Sequence, residues 1–348
     1  MHLQSLTVTP ELLRLIAEID DFRNHWQEQH HQTPERLSAL RQVATIESIG
    51  SSTRIEGVKL NDAQIESLLN QVHKTSFTTR DEQEVAGYAE AMDLIFANHA
   101  QIPITENYLK QLHATLLRHA EKDAWHRGEY KKHTNHVEAF APDGTHLGVV
   151  FATSTPFETP TRIQELLLWT RETLADNGYH PLLVTAIFHV VFLAIHPFQD
   201  GNGRLARILT SLLLLKTGYH YIPYASLESI IEKNKEVYYL ALQRTQKTLQ
   251  QNQPDWQPWL GFFLHSLKRQ KDHLAAKLHT SNLYTELPRD SMLIMQYVDQ
   301  HQRITLRDAT TLLPTTARST IKKRLTDLVA CDLLVRHGKA RGTWYSKQ

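Results

Sequence analysis

Twelve consecutive residues, His196-Pro197-Phe198-Gln199-Asp200-Gly201-Asn202-Gly203-Arg204-Leu205-Ala206-Arg207, gather an imidazole, a carboxylate, two glycines and two guanidinium groups into one short stretch. Each suits the handling of a phosphorylated ligand. Gly201 and Gly203 let backbone N–H groups approach an anion closely, best where a helix begins and its dipole is positive. Arg204 and Arg207 lie three apart, so on one helical face two forked donors can grip successive phosphoryl groups. Asn202 can donate to an inner phosphate from the same loop. Asp200 is a hard oxygen ligand of the kind that holds Mg²⁺ bridging two phosphates of a nucleotide. His196, at the rim, is a candidate general base for a hydroxyl that attacks phosphorus.

The flanking segments must position this loop. Pro181 to Ile195 (PLLVTAIFHVVFLAI) is apolar nearly all round and predicts a buried central helix, ended where Pro197 forbids continuation. Arg204 to Thr217 predicts a second apolar helix that stops at Gly218. Gly201, Gly203 and Ala206 also fit the spacing of a dinucleotide fingerprint, but that motif needs a preceding strand, and none is predicted. With 21 histidines in the chain, a single one is usually a packing or surface group, and His189 is read so.

The run from His196 to Arg207 resembles the signature of the Fic family: His-Pro-Phe, two residues of which the second is acidic, Gly-Asn-Gly-Arg, two residues, then Arg. Every fixed position matches. The resemblance implies an all-helical core that transfers AMP from ATP to a Ser, Thr or Tyr hydroxyl of a target protein or of the chain itself. In that scheme His196 deprotonates the hydroxyl, Asp200 holds Mg²⁺, Asn202 and Arg204 bind the α- and β-phosphates, and Arg207 takes the γ-phosphate. Phe198 is a plug that anchors the loop.

Upstream, Ser52-Thr53-Arg54-Ile55-Glu56-Gly57 resembles the family's inhibitory pattern. It implies that Glu56 pairs bidentately with Arg207, where the γ-phosphate would sit, so that ATP binds in an unreactive pose. On the residues alone, Glu56 and Gly57 could simply close one helix before the next. Asn135 to Phe140 and Thr145 to Phe151 flank Ala141-Pro142-Asp143-Gly144 and predict a hairpin. By resemblance it is a flap that holds the target segment as an added strand, and Gly128-Glu129-Tyr130 before it also looks familial. The resemblance further places Tyr239, beside Tyr238, in the adenine pocket.

The expected fold class is mainly all-α: a Fic-type core with a small hairpin flap, and a C-terminal winged helix. The expected domains are 1–100, carrying the inhibitory motif, 101–279, the catalytic core, and 280–348, with a linker over 280–288. Among 348 residues of net charge +1, the stretch from Arg289 onward carries an excess of Lys and Arg. Arg318, Lys322, Lys323 and Arg324 fall on the would-be recognition helix, and Arg336, Lys339 and Arg341 on the wing. DNA binding is one expectation for this tail, and a protein-binding or dimer-forming module the other. A homodimer could tune inhibition by burying the helix that bears Glu56. A single cysteine, Cys331, excludes an internal disulfide framework. No signal peptide or membrane span is evident, so the expected location is the cytoplasm. Removal of AMP at the same site, a nucleotide-sensing DNA-binding regulator and a transferase of another nucleotide all remain open.

Overall fold

The computed structural model describes residues 3, 5–28, 34–70, 77–135, 137–140, 146–151, 153–249, 251, 253–331, 333–339 and 342–347. It comprises two compact units, Met1–Asp272 and His273–Gln348. The first is almost entirely helical: α1 (Pro10–Glu28), α2 (Pro34–Ile55), α3 (Asp62–Asn70), α4 (Arg80–Asn98), α5 (Glu106–Leu116), α6 (Thr159–Asp176), α7 (Pro181–Ile195), α8 (Asn202–Lys216), α9 (Leu227–Lys233) and α10 (Lys235–Gln246). Between α5 and α6 lies one antiparallel hairpin, β1 (Val137–Phe140) and β2 (His146–Phe151). The turn expected at 141–144 falls outside the described residues.

The two helices predicted around the phosphate-suited loop are α7 and α8, and they form the centre of the unit. Along α7, Leu182, Val184, Ala186, Ile187, Val190 and Phe192 are wholly enclosed, as its all-round apolar sequence requires. Its start is fixed twice, by Pro181 at the first helical position and by His180, whose Nδ1 accepts the Leu182 N–H. Trp259 donates its indole N–H to the Ala186 carbonyl at 2.6 Å from α11 (Gln257–Glu286). His189 is buried, as expected of a packing residue. The Thr210 hydroxyl donates to the Ala206 carbonyl, so His189 Nδ1 donates to Thr210 and His189 Nε2 accepts from the Tyr238 hydroxyl.

Helix α11 runs through Glu286, so most of the stretch expected as a linker, 280–288, is helical. No Gly or Pro interrupts that stretch before Pro288, so nothing local stops the helix sooner. The second unit adds α12 (Arg289–His301), β3 (Arg303–Thr305), α13 (Leu306–Leu312), α14 (Arg318–Ala330), β4 (Val335–His337) and β5 (Trp344–Ser346). The strands form one antiparallel sheet in the order β3-β5-β4. Its core is Ile294, Met295, Val298, Ile304, Ala309, Ile321, Leu325 and Leu328 with neighbouring aliphatics. Among the described residues, no helix is long and apolar enough to cross a membrane.

Candidate active site

His196 sits where α7 ends. Its backbone N–H still donates to Phe192 O at 2.9 Å, but the residue has turned left-handed, with φ 54° and ψ 62°. A non-glycine residue held there stores strain of about 1 kcal/mol, tolerated because Pro197 bars further helix and the loop must leave α7 abruptly. The ring's Nδ1 lies 3.2 Å from the Leu193 carbonyl. A carbonyl can only accept, so Nδ1 carries the proton and the Nε2 lone pair is the basic one. Burial, with some help from the Lys131 cation, pushes the imidazole down to about 4 against opposing effects of the Leu193 carbonyl, Glu56 and Asp200. At neutral pH the ring is uncharged.

Phe198 anchors the loop, fully buried and stacked on His113 at 3.8 Å and 10°. His113, from α5, accepts the Gly128 N–H on Nδ1 at 3.0 Å and donates from Nε2 to the Asp200 carbonyl at 3.1 Å. Burial lowers it to about 3, so it stays neutral as a pillar under the loop. Asn202 closes the loop on itself: its Oδ1 accepts the Phe198 N–H and its Nδ2 donates to Phe198 O, at 2.9 and 2.7 Å. The side-chain donor expected to meet a phosphate is thus engaged within the loop. Gly201, at φ 77°, caps α8, and the backbone there begins the helix whose first turn carries Arg204 and Arg207.

A lattice of charge surrounds this turn. Arg204 is buried, with Nη1 2.8 Å from Glu84 Oε2 and Nη2 3.5 Å from Asp200 Oδ2. Arg80 joins Glu84 at 2.7 Å and Asp200 at 3.2 Å. Burial alone would raise the Asp200 carboxyl, but Arg204, the Gly201 N–H and Arg80 together hold it below its ordinary value. It is therefore ionised, and its side chain is 41% exposed.

Helix α2 delivers Glu56. Gly57, at φ 106°, makes the left-handed cap: its N–H donates to Arg54 O at 3.1 Å, and the Val58 N–H donates to Thr53 O at 3.2 Å. Glu56 is thereby fixed in the turn just past Ile55, the last residue of α2. Arg54 clasps both oxygens of Glu232 on α9, at 2.7 and 3.1 Å, and also Asp62 at 2.8 Å, while Lys235 caps the Ile55 carbonyl at 2.7 Å. The helix end is latched from two sides.

Arg207, 2% exposed, meets that end directly. Its Nη2 lies 2.8 Å from Glu56 Oε1, its Nε donates to Ser52 Oγ at 2.7 Å, and Nη2 also donates to Ser52 O at 2.9 Å. The expected bidentate pairing is instead a single carboxylate contact, with Ser52 taking Nε and sharing Nη2. Burial would lower the guanidinium, and the Glu56 charge leads the groups that more than offset it, so Arg207 is raised and always charged. A side chain at Gly203 would meet the Glu56 carboxylate, so glycine there lets Glu56 lie over the helix start without shifting.

Glu56, His196, Asp200, Gly201, Asn202, Gly203, Arg207, Tyr238 and Tyr239 line one cavity of about 190 Å³. That is smaller than the roughly 300–1,000 Å³ usual for small-molecule sites, with Glu56 on its wall. Tyr239 is partly exposed toward it, whereas the Tyr238 hydroxyl is spent on His189. Arg204 lies outside this lining, tied to Glu84.

Tyr130 bridges to Phe198, and Lys131 donates its backbone N–H to Pro197 O at 2.9 Å, so the approach to the hairpin is stitched to the loop. The Lys131 ammonium is buried and donates to Asn135 Oδ1, Thr153 Oγ1 and Ile195 O at 2.8, 3.0 and 3.1 Å. Burial lowers it to about 8. It joins both ends of the hairpin to the helix terminus that presents His196. Sequence reasoning missed His113, Arg80, Glu84, Arg54 and Lys131. Arg54 lies inside the 52–57 motif and Lys131 directly after Gly128-Glu129-Tyr130, whereas the other three have no such signal.

Residues 103–214 match the family model described as the Fic/DOC family. Among curated proteins, the chain is 28% identical over 280 residues to the protein adenylyltransferase Fic of Drosophila yakuba, covering 79% of this chain and 50% of that protein. To its namesake in Drosophila mojavensis it is 29% identical over 191 residues, 54% of this chain and 35% of that one. The chain thus spans half or less of these relatives' length. Among solved structures, it resembles a Fic family protein from Desulfovibrio desulfuricans G20, with TM-score 0.63, 22% identity, and coverage of 99% and 98% of the two chains. It also resembles Fic-1 from C. elegans, with TM-score 0.60, 19% identity, and coverage of 79% and 74%. At these identities the structural likeness is one of fold.

Proposed function

We propose, from the premise that residues 103–214 form a Fic domain, that the protein is an adenylyltransferase that moves AMP from ATP to a Ser, Thr or Tyr hydroxyl of a target protein, with Glu56 holding the reaction in check. The observation that carries this reading is the 2.8 Å contact of Glu56 with buried Arg207 inside the cavity that also holds His196. One carboxylate stands on the guanidinium that the outermost phosphate needs.

In the reaction, His196 Nε2 takes the proton of the target hydroxyl, and the oxygen forms a bond to the α-phosphorus. The bond from that phosphorus to the α,β-bridging oxygen breaks, and pyrophosphate leaves with its electron pair. The backbone N–H groups opening α8, with Arg207 and Arg204, receive the phosphates. Arg204 would have to share its guanidinium with Glu84, and Asn202 contributes by shaping the loop and through its own backbone N–H. Tyr239 offers an aromatic face for the adenine. The hairpin is suited to hold the target as an added strand, with Lys131 keeping it in register with His196.

Asp200 fits Mg²⁺: it is an ionised, part-exposed carboxylate beside the phosphate cradle, and no cluster of three or more ligating side chains occurs among the described residues. A metal held by one carboxylate and by substrate phosphates matches that donor set. Bound there, Mg²⁺ would offset charge on the phosphates. The order α12–β3–α13–α14–β4–β5 supports reading the second unit as a winged helix.

The test is transfer of α-labelled AMP from ATP to cell-extract proteins. His196→Ala should abolish labelling and Glu56→Gly should raise it. Labelling unchanged in both variants would refute the assignment, and labelling only from another nucleotide would replace ATP as the donor.

A further inference from the structure

The second unit carries positive charge that the proposed transfer reaction does not use. Helix α14 has 13 residues and buries Ile321, Leu325 and Leu328 against its own unit. Arg318, Ser319, Lys322, Lys323 and Thr326 are exposed along its outer side. Arg336 and Lys339, on β4 and just after it, are exposed too. Arg341, also expected on this wing, lies outside the described residues.

The acidic side chains described in the unit are otherwise occupied. Asp308 closes the capping box with Thr305 at the start of α13, Asp299 pairs with Lys347, Asp327 lies 3.9 Å from Arg324, and Asp290 accepts from Thr316. Arg318, Lys322, Lys323, Arg336 and Lys339 therefore have no acidic partner among the described residues. Five unneutralised cations on one helix and one hairpin form a surface that favours a polyanion.

Two observations choose among polyanions. No large hydrophobic residue is exposed among the described residues of this unit; the exposed ones described in the protein all precede residue 241. The surface thus lacks the apolar anchors of a protein interface and the wedge of a membrane-binding helix. The charges are also carried by a helix about 20 Å long, with the small hydroxyl of Ser319 beside them and that of Thr326 donating to Lys322 O at 3.0 Å. A helix of that form enters the major groove, its basic residues reaching phosphates and its hydroxyls the base edges, while an adjoining hairpin meets the backbone.

We infer that α14 and the β4–β5 hairpin form a docking surface for duplex DNA. This site is independent of the nucleotide-transfer reading and stands or falls alone.

The probe is a fluorescein-labelled DNA duplex of mixed sequence, about two turns long, titrated with the full-length protein by anisotropy. With five phosphates neutralised, log affinity should fall against log salt with a slope of about −4.5, a loss of about 500-fold between about 50 and about 200 mM NaCl. The variant Arg318→Ser/Lys322→Gln/Lys323→Gln should flatten the slope to about −2. Ser319→Glu, which places an anion on the same face, should weaken binding while leaving the wild-type melting curve and AMP labelling in place. Absence of binding at low salt would overturn the inference, as would a slope unchanged in the triple variant. Equally tight, equally variant-sensitive binding to polyglutamate would overturn it in favour of an acidic protein partner.

Discussion

Replacing Glu56 by glycine removes one contact and leaves most of its surroundings standing. Arg207 keeps both bonds to Ser52, and the α2 latch through Arg54, Glu232 and Lys235 does not involve the Glu56 carboxylate. A charge-assisted hydrogen bond contributes about 1.5–3 kcal/mol. Because Glu56 is 30% exposed, water screens the pair and the lower part of that range applies, about 1.5–2 kcal/mol. If this contact is what the γ-phosphate must displace, its loss should raise the initial rate of AMP transfer by about 10- to 30-fold. Glu56→Gln keeps the shape without the charge and should fall between. Stability should drop by the same amount, about 1.5–2 kcal/mol, read as about 3 °C in Tm. The assay is incorporation of α-labelled AMP at fixed ATP, with nucleotide binding confirmed for each variant. A folded, ATP-binding Glu56→Gly protein whose rate rises less than twofold would refute the reasoning.

Arg54→Ala should release the latch that aims Glu56 and raise transfer several-fold, less than Glu56→Gly; an unaltered rate would show that the helix end is held by other means. His113→Ala leaves a cavity under Phe198 and strands the Gly128 N–H and Asp200 carbonyl, costing about 2–4 kcal/mol in urea unfolding. A cost below 1 kcal/mol would deny His113 its role as pillar. Stability should also fall in acid: His113 and His189, lowered by burial to about 3, and His196, lowered to about 4, bind protons in the unfolded chain near pH 6.5 but not when folded. The loss begins as pH drops below about 6.5 and continues to about 3–4, with up to about 5 kcal/mol for each of His113 and His189. A urea midpoint flat from pH 7 to pH 5 would contradict it.

The bond-making residues were legible because they lie in one run. His196 to Arg207 names its own chemistry, and the apolar helices on either side follow from their composition. Glu56 was reachable only through resemblance, since nothing in residues 52–57 alone says that they meet residue 207. The supports were hidden for a physical reason: His113, Glu84 and Arg80 come from α5 and α4 and reach the loop by packing, which leaves no spacing pattern behind. Asn202, read from the motif as a phosphate ligand, also closes the loop on Phe198, a role that no spacing announces. The stretch before Pro288 is helical because no Gly or Pro breaks it, which its expected place between domains does not reveal.

The central claim is that Glu56 and the γ-phosphate compete for Arg207. Calorimetric titration of wild type and Glu56→Gly with ATP and with ADP, each with Mg²⁺, tests it without any target protein. The account predicts that Glu56→Gly tightens ATP by about tenfold or more and leaves ADP unchanged, because only ATP carries the phosphate that needs the freed guanidinium. An ATP-to-ADP affinity ratio that is the same in both proteins would contradict it.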